Sequence, residues 1–467
     1  MANSNGWGDG AANNSIGWGQ GANNAIGWGD SHAKSWAGDT DIVGIDSASS
    51  EFFTATGITG ATQQTAIDNL VKGLKSDGLW SKMKAVYPFA TDNRNLLGYT
   101  EDFGNAYWNK TGSSAIISNT TTSPNGTLTA DTFITASGSL TNRMISSTLD
   151  IIGQTVCVSI YAKSDTFNRI RLSNNASNVI TADFNLDTGT LIGTTGSVIS
   201  TSVLAVGDGW YRCSMSYVAT DATVLYRMPL ITSGISASIF VWGAQLELGS
   251  TATTYQPIAT TQQAFISNQF KYNLVNPVDS DAAFRLVFNG GWTHSANGAT
   301  PNGTNGYANT YLVPSSVLSL NSTHISCYTR TNTTVSAPLL SSEDATTYNN
   351  GLFIWPKYSG NLYSVRINDN SSDSATAVAN TQGLHLATRT ASNVKKYRHN
   401  TTQIFANTTA STSLNTSSIY VGASRNNANY STHQTAFASI GDGLTDTEAA
   451  NLYTAVQAFQ TKLSRQV

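Results

Sequence analysis

The sequence predicts a mainly β protein built around two β-sandwiches. Three observations carry this. Charged residues make up only 11% of the 467-residue chain, against roughly 25% in ordinary soluble domains, and Asn, Thr and Ser supply the polarity instead. Short segments rich in Val, Ile, Thr and Tyr alternate apolar and polar residues at period two, the pattern of a half-buried strand. Such segments recur, separated by Gly, Asn and Asp turns, from about residue 95 to the end of the chain, the spacing of a sandwich or jelly roll.

The first unit, residues 1–45, is different. "GWGDGAANNSIGWGQGANNAIGWGD" runs from Gly6 to Asp30 and places Trp7, Trp18 and Trp28 ten or eleven residues apart, with Trp36 following. A segment this rich in Gly and Asn cannot offset its own ordering entropy, so one reading is a plain flexible tail. Four tryptophans favour another reading, because Trp dominates binding hot spots. On that reading the segment orders on a partner protein, with Trp7, Trp18, Trp28 and Trp36 as the docking side chains.

Next, Ile67, Leu70, Val71 and Leu74 recur at i, i+3, i+4, i+7 and predict an amphipathic helix over 62–77. Thr62 is placed to cap it and Gly78 to end it. A second helical turn is expected through Leu79, Trp80 and Met83 before Pro88 stops it. From 91 to 261 the chain reads as a first sandwich, with strands in "QTVCVSIYAKS", "NRIRLSN", "GDGWYRCSMSY" and "ASIFVWGAQLELG" and a hairpin turn at Asp187-Thr188-Gly189. Strands resume in "AAFRLVFNGGW", "THISCYTRTN", "NGLFIWPKYSGNLYSVRIND" and "SSIYVGASR". The basic cluster Lys395 to His399 reads as a solvated turn. A final helix over 446–464 opens with the capping box Thr445 and Glu448 and the staple pair Leu444 and Ala449.

Several function classes find no support. Net charge is −3 and no stretch is strongly basic, which argues against nucleic acid as a partner. No apolar run approaches the ~18 residues of a membrane span, and the first residues lack the basic and apolar regions of a secretory signal. Cys157, Cys213 and Cys327 are odd in number and far apart, so buried free thiols are expected, from assembly in a reducing cytoplasm. The six histidines show no metal-ligand spacing, and Asp369 and Asp373 in "INDNSSDS" lack a full calcium-loop pattern and read as a turn. No cofactor or metal is expected. Nor is there a nucleophile elbow, a metalloprotease helix or a phosphate loop, so no catalytic residue is assigned.

Carbohydrate recognition is better supported, since it needs aromatic platforms beside amides and hydroxyls. Trp108 in the first sandwich, and Trp292 with Tyr307 in the loop-rich "GGWTHSANGATPNGTNGY", are the candidate glycan-binding residues. Core packing is the alternative for the sandwich tryptophans and is preferred for Trp210 and Trp242. A structural loop against a neighbouring subunit is the alternative for 290–307.

Three stretches carry a resemblance. "GWGQGANNAIGWGDSHAKSWAGDTDIVG" resembles N-terminal segments of virion appendage proteins of tailed bacteriophages. "NLLGYTEDFGNAYWNK", "GDGWYRCS" and "VWGAQLELGSTATTYQPI" resemble a carbohydrate-binding-like sandwich of phage tail fibres and tailspikes. "DSDAAFRLVFNGGWTHSANGATPNGTNGYANTYL" with "SSIYVGASRN" and "FASIGDGLTDTEAANLYTAVQAFQTKLSRQV" resembles a laminin-G or concanavalin-like module of similar proteins. The resemblance implies that residues 46–90 and 262–467 form one laminin-G/concanavalin-like sandwich, into which the sandwich at 91–261 is inserted. It also implies a non-enzymatic adhesion protein of a tail or head fibre, located in the virion. Its partners would be other virion proteins through residues 1–45, host surface glycan and two further copies in a homotrimer. A tailspike-like depolymerase is the alternative.

Overall fold

The computed structural model describes residues 44–135, 143–174, 179–227, 236–343, 351–358, 362–377, 379–424 and 429–467. Trp7, Trp18, Trp28 and Trp36 lie outside them. Chain contacts divide the protein into two compact units, one of residues 1–92 with 269–467 and one of residues 93–268. The fold is mainly β and antiparallel, in sandwiches, with the two helices that the apolar periodicity predicts.

The unit at 93–268 consists of two six-stranded sheets. One runs in the order Val198–Gly207, Trp210–Val218, Thr155–Ser164, Ala237–Leu248, Ala130–Thr135, Ser114–Thr121. The other runs Asn109–Thr111, Arg143–Ile145, Val224–Arg227, Arg169–Asn174, Thr181–Asn185, Thr190–Thr195. Val156, Val158 and Ile160 alternate inward from the first, and Ile170, Leu172 and Phe184 from the second, into one buried core. Trp210 and Trp242 pack in a second cluster with Tyr161 and Tyr255, the core role expected for them. All three cysteines are free and buried, and burial pushes each thiol up to about 12.

In the other unit the helix spans Ala61–Ser76 and buries Ile67, Leu70, Val71 and Leu74. These pack with Leu452, Val456 and Phe459 of the helix Asp446–Lys462 and with Tyr328, Leu384 and Phe437 of a sheet. The first helix starts one residue before Thr62, so Thr62 does not cap it. Gly60 is the cap residue, and the Asp92 carboxylate accepts from the backbone N–H groups of Thr59 and Gly60, at 2.8 Å each. A distant anion does the work of the local hydroxyl at the positive end of the helix. Gly78 does end it. Its φ of +70° places the N–H groups of Gly78 and Leu79 on the carbonyls of Lys75 and Leu74, which satisfies two terminal acceptors. The expected second helical turn is only Trp80–Lys82, because Met83 opens a strand, Met83–Tyr87, paired with Thr435–Gly441. The capping box holds: Thr445 Oγ1 accepts from Glu448 N, and the Glu448 carboxylate from Thr445 N.

This unit has an eight-stranded and a seven-stranded sheet. The first contains Thr323–Thr329, Gly383–Ala391, Val394–His399 and Thr402–Asn407 in that order. The second contains Leu340–Ser342, Gly351–Tyr358, Leu362–Asp369 and Asp373–Ala377 as successive neighbours. The basic cluster at 395–399 is therefore no solvated turn. It lies in a strand, and Lys395 is fully buried, with its ammonium 2.7 Å from both Asp369 and Asp373. Arg389 reaches Asp369 at 2.6 Å. The two aspartates of "INDNSSDS" flank a hairpin turn, as the sequence suggests, but face cations of the neighbouring sheet.

Removing one member of a buried ion cluster leaves a desolvated charge behind, at a cost of roughly 3–5 kcal/mol. Asp369→Asn is therefore expected to lower the stability of this unit by about that amount, read as a shift of its denaturant midpoint. A shift below about 1 kcal/mol would show that the cluster does not hold the sheets together.

Candidate functional site

Trp108 cannot be a glycan platform. It is 1% exposed, packed against Phe103, Tyr107 and Tyr226, and its indole N–H is spent on the Tyr99 carbonyl at 2.9 Å. An aromatic that fills a sandwich core has no face left for a sugar. Trp292 and Tyr307 do lie together: the Trp292 N–H donates to the carbonyls of Asn289 and Tyr307 at 3.0 and 3.3 Å. Both side chains are half-buried, and the Tyr307 ring packs on Tyr420 with centroids 5.1 Å apart. The segment is a hairpin of Trp292–Ser295 and Gly298–Pro301 rather than a long loop. Its tip region is knit internally, with Asn302 Oδ1 accepting from the N–H groups of Thr304, Asn305 and Gly306.

A better candidate lies on the outer face of the seven-stranded sheet. Along Gly351–Tyr358, Leu352 and Ile354 are fully buried on the core side. Period two then turns Phe353 and Trp355 to the other face. On the next strand Val365 and Ile367 point to the core, which turns Ser364 and Arg366 outward. Register sets Phe353 opposite Arg366, and Trp355 opposite Ser364. On the other side Ser341 pairs with Phe353, so Glu343, two residues on, leaves on the same outer face.

These side chains line a cleft of about 600 Å³ with Tyr358, Ser372, Ser374 and Asn429. Trp355 and Tyr358 meet edge to face at 5.2 Å. The Arg366 guanidinium lies 5.2 Å over the Phe353 ring and donates to Ser372 Oγ at 2.7 Å. Gly351 makes room for this: a Cβ there would stand 2.8 Å from Arg366 Cδ.

Two polar groups in the cleft lack partners. Trp355 is 7% exposed, yet its indole N–H has no hydrogen-bond partner among the described residues. Glu343 is 5% exposed and makes no hydrogen bond or ion pair among the described residues. Burial pushes its carboxyl up to about 7, against the opposing pull of the Arg366 charge. Buried donors and acceptors are nearly always satisfied, so two open ones in a single cleft mark a place for a ligand. The arrangement offers flat aromatic surface, a planar cation, hydroxyls and an acid that changes charge near neutrality.

The sequence contained a signal for this site. In "GLFIWPKY" both alternating faces are apolar, Leu352 and Ile354 on one and Phe353 and Trp355 on the other. The first is explained by the core and the second needs a separate explanation. The histidines show the converse, since no spacing reveals that His385 and His399 stack at 4.4 Å. Their ring nitrogens are held by Tyr397 and Tyr363 hydroxyls and by the carbonyls of Thr381 and Gln382. Burial keeps both below the usual imidazole range.

No protein-family model matches the chain, and no curated protein matches it. Among solved structures, domain 4 of AbnA, a GH43 extracellular arabinanase from Geobacillus stearothermophilus in complex with arabinotriose, is similar at 16% identity. That match covers 36% of this chain and 80% of that one, with a TM-score of 0.26. The enzymatically active domain of bacteriophage CBA120 tailspike protein 4 is similar at 12% identity and a TM-score of 0.20, over 33% of this chain and only 21% of that one. The CBM22-1 xylan-binding domain of Paenibacillus barcinonensis Xyn10C is similar at 12% identity and a TM-score of 0.20, over 36% and 96% of the two chains. Likenesses this weak do not say what this chain binds.

Proposed function

We propose that this chain is a non-enzymatic, glycan-binding adhesion protein of a bacteriophage particle. The observation that carries the binding is the cleft with Phe353, Trp355, Tyr358 and Arg366, whose buried Trp355 N–H awaits an acceptor. A sugar ring laid on the aromatic faces brings hydroxyl oxygens to that donor. A neutral hydrogen bond contributes roughly 0.5–1.5 kcal/mol, so Trp355→Phe, which keeps a ring and removes the donor, is expected to weaken glycan binding about three- to tenfold. Isothermal titration against an oligosaccharide identified on a glycan array measures this. Equal affinity of the two proteins would place the glycan elsewhere.

The virion role rests on the Gly-Trp-Gly repeats and on their resemblance to phage appendage segments. Deleting residues 1–43 is expected to leave a folded protein that is absent from particles. Incorporation of the truncated protein at the normal level would put the anchor elsewhere.

Self-association into a homotrimer is supported by an edge without charges. Thr190–Thr195 and Val198–Gly207 end their respective sheets, and Leu191, Ile192, Ile199 and Leu204 are 43–58% exposed along them. From 188 to 207 there is no charged residue and no proline, the usual guards of a free edge. Sedimentation is expected to give a trimer that Ile192→Lys weakens. A monomer at micromolar concentration would exclude an intrinsic trimer.

Cleavage of the bound glycan is a second reading, favoured by the raised Glu343 carboxyl. Against it stands the need for two carboxyl groups ~5–10 Å apart: Glu343 is the single one among the described residues that line the cleft.

A further inference from the structure

The helices Ala61–Ser76 and Asp446–Lys462 pack together through Leu70 and Phe459, and a groove of about 530 Å³ is left beside that contact. Ala66, Ala455 and Ala458 line it, and their side chains are too short to fill the space between two helices. Gln457 lines it as well. Its Nε2 donates to the Tyr453 hydroxyl at 3.2 Å, but its Oε1 is buried with no hydrogen-bond partner among the described residues. Buried acceptors are nearly always satisfied. Lys462, also on the groove, makes no hydrogen bond or ion pair among the described residues. The groove therefore fits a flat apolar group that carries an N–H donor, with acid beside it. An indole is such a group, apolar over its rings and a donor only.

The chain itself brings one close. Its first described residues are tied to the same helix: Lys72 donates to the Gly44 carbonyl, the Asp46 N–H donates to Asp68 at 2.8 Å, and Lys75 pairs with Asp46 at 2.7 Å. At about 100° per residue, Asp68, Lys72 and Lys75 stand on the flank across from Ala66. The path between the flanks runs over the exposed face, half way round a helix some 10–12 Å across, or roughly 15–20 Å. Trp36 precedes Gly44 by eight residues, which span up to about 28 Å.

We propose that the groove takes the indole of Trp36 from the same chain, with its N–H on Gln457 Oε1 and with Asp39 and Asp41 brought toward Lys462. Tethering through so short a segment supplies an effective concentration of roughly millimolar. Among the four tryptophans of the segment, Trp36 closes the shortest loop. The ring carries the contact, since an exposed pair such as Lys462 with Asp39 contributes little. This contact seats the base of the N-terminal segment on its own unit and leaves Trp7, Trp18 and Trp28 for another protein. It holds whether or not that protein belongs to a virion.

The test uses Lys34, the one basic residue in 1–43 and two residues before Trp36. Trypsin cuts after it in the full-length protein, and the rate is referred to a free peptide of residues 28–43 with the same substitution. A bond beside a seated indole is cut only from the released state, so the rate tracks the released fraction. Wild-type protein is expected to be cut about tenfold or more slowly than its peptide, at a rate independent of protein concentration. Trp36→Ala, which alters no described residue, should be cut at the peptide rate, and so should Ala458→Phe, which fills the groove. Trp36→Phe and Gln457→Leu, which remove the donor and the acceptor, should fall between, and Trp28→Ala should match wild type. Wild-type cleavage at the peptide rate would overturn the proposal. So would protection that survives Trp36→Ala, or that Trp28→Ala removes. Protection that needs Trp36 but is untouched by Gln457→Leu and Ala458→Phe would place the indole elsewhere and overturn it too; should Ala458→Phe fail to fold, Gln457→Leu alone decides. Protection that grows with protein concentration would assign the groove to a second copy and overturn the contact within one chain.

Discussion

The unit at 1–92 and 269–467 depends on a buried ion cluster. Asp369, Arg389 and Lys395 have fully buried side chains, and Asp373 is nearly so. Desolvating such charges costs several kcal/mol each, which their mutual attraction offsets only if the remaining donors and acceptors are also satisfied. Here they are. Arg389 donates to the carbonyls of Ile367, Ser392 and Thr409 as well as to Asp369. Lys395 bridges both aspartates. The cations stand on Gly383–Ala391 and Val394–His399 of one sheet, and the aspartates on the hairpin of the other. A slip of either strand by one residue would turn a charge into the apolar core. The cluster thus specifies the register between the sheets.

That register is what shapes the cleft. The hairpin strand Leu362–Asp369 is pinned at one end by Asp369. Between the sheets it is held by Tyr363, whose ring packs against His385, Tyr397 and His399. Its outward residues, Ser364 and Arg366, are therefore fixed by contacts made on its inward face. A binding site on strands is positioned more closely than one on loops when the supporting contacts leave few rotamers open. Arg366 adds its own restraint by lying over Phe353 and donating to Ser372.

The sequence shows the elements well because local rules set them. The stripe Ile67, Leu70, Val71, Leu74 can form only one helical face, and Thr445 with Glu448 can cap only one helix start. Errors arise where a distant residue decides. Thr62 loses the cap because Asp92, about thirty residues on, supplies a better acceptor. Lys395 reads as solvent-exposed until two carboxylates from another sheet meet it. Trp108 reads as a platform because sequence does not reveal that Phe103, Tyr107 and Tyr226 surround it. The cleft was the least legible feature, since it gathers residues from four strands. Its one local trace was the second apolar face of "GLFIWPKY".

Low charge makes the remaining charges informative. In a chain with 25 basic and 28 acidic residues among 467, most of the surface is amide and hydroxyl, which contribute dipoles but little field. A charged group then acts over roughly a Debye length of 8–10 Å with few neighbours to cancel it. Asp46, Asp183, Asp279, Asp442 and Asp446 each answer a basic group in an ion pair. Glu343 and Arg366 share one concave surface. In a protein that uses charge so sparingly, an acid and a cation lining one aromatic cleft are a local concentration of charge on an otherwise amide- and hydroxyl-rich surface.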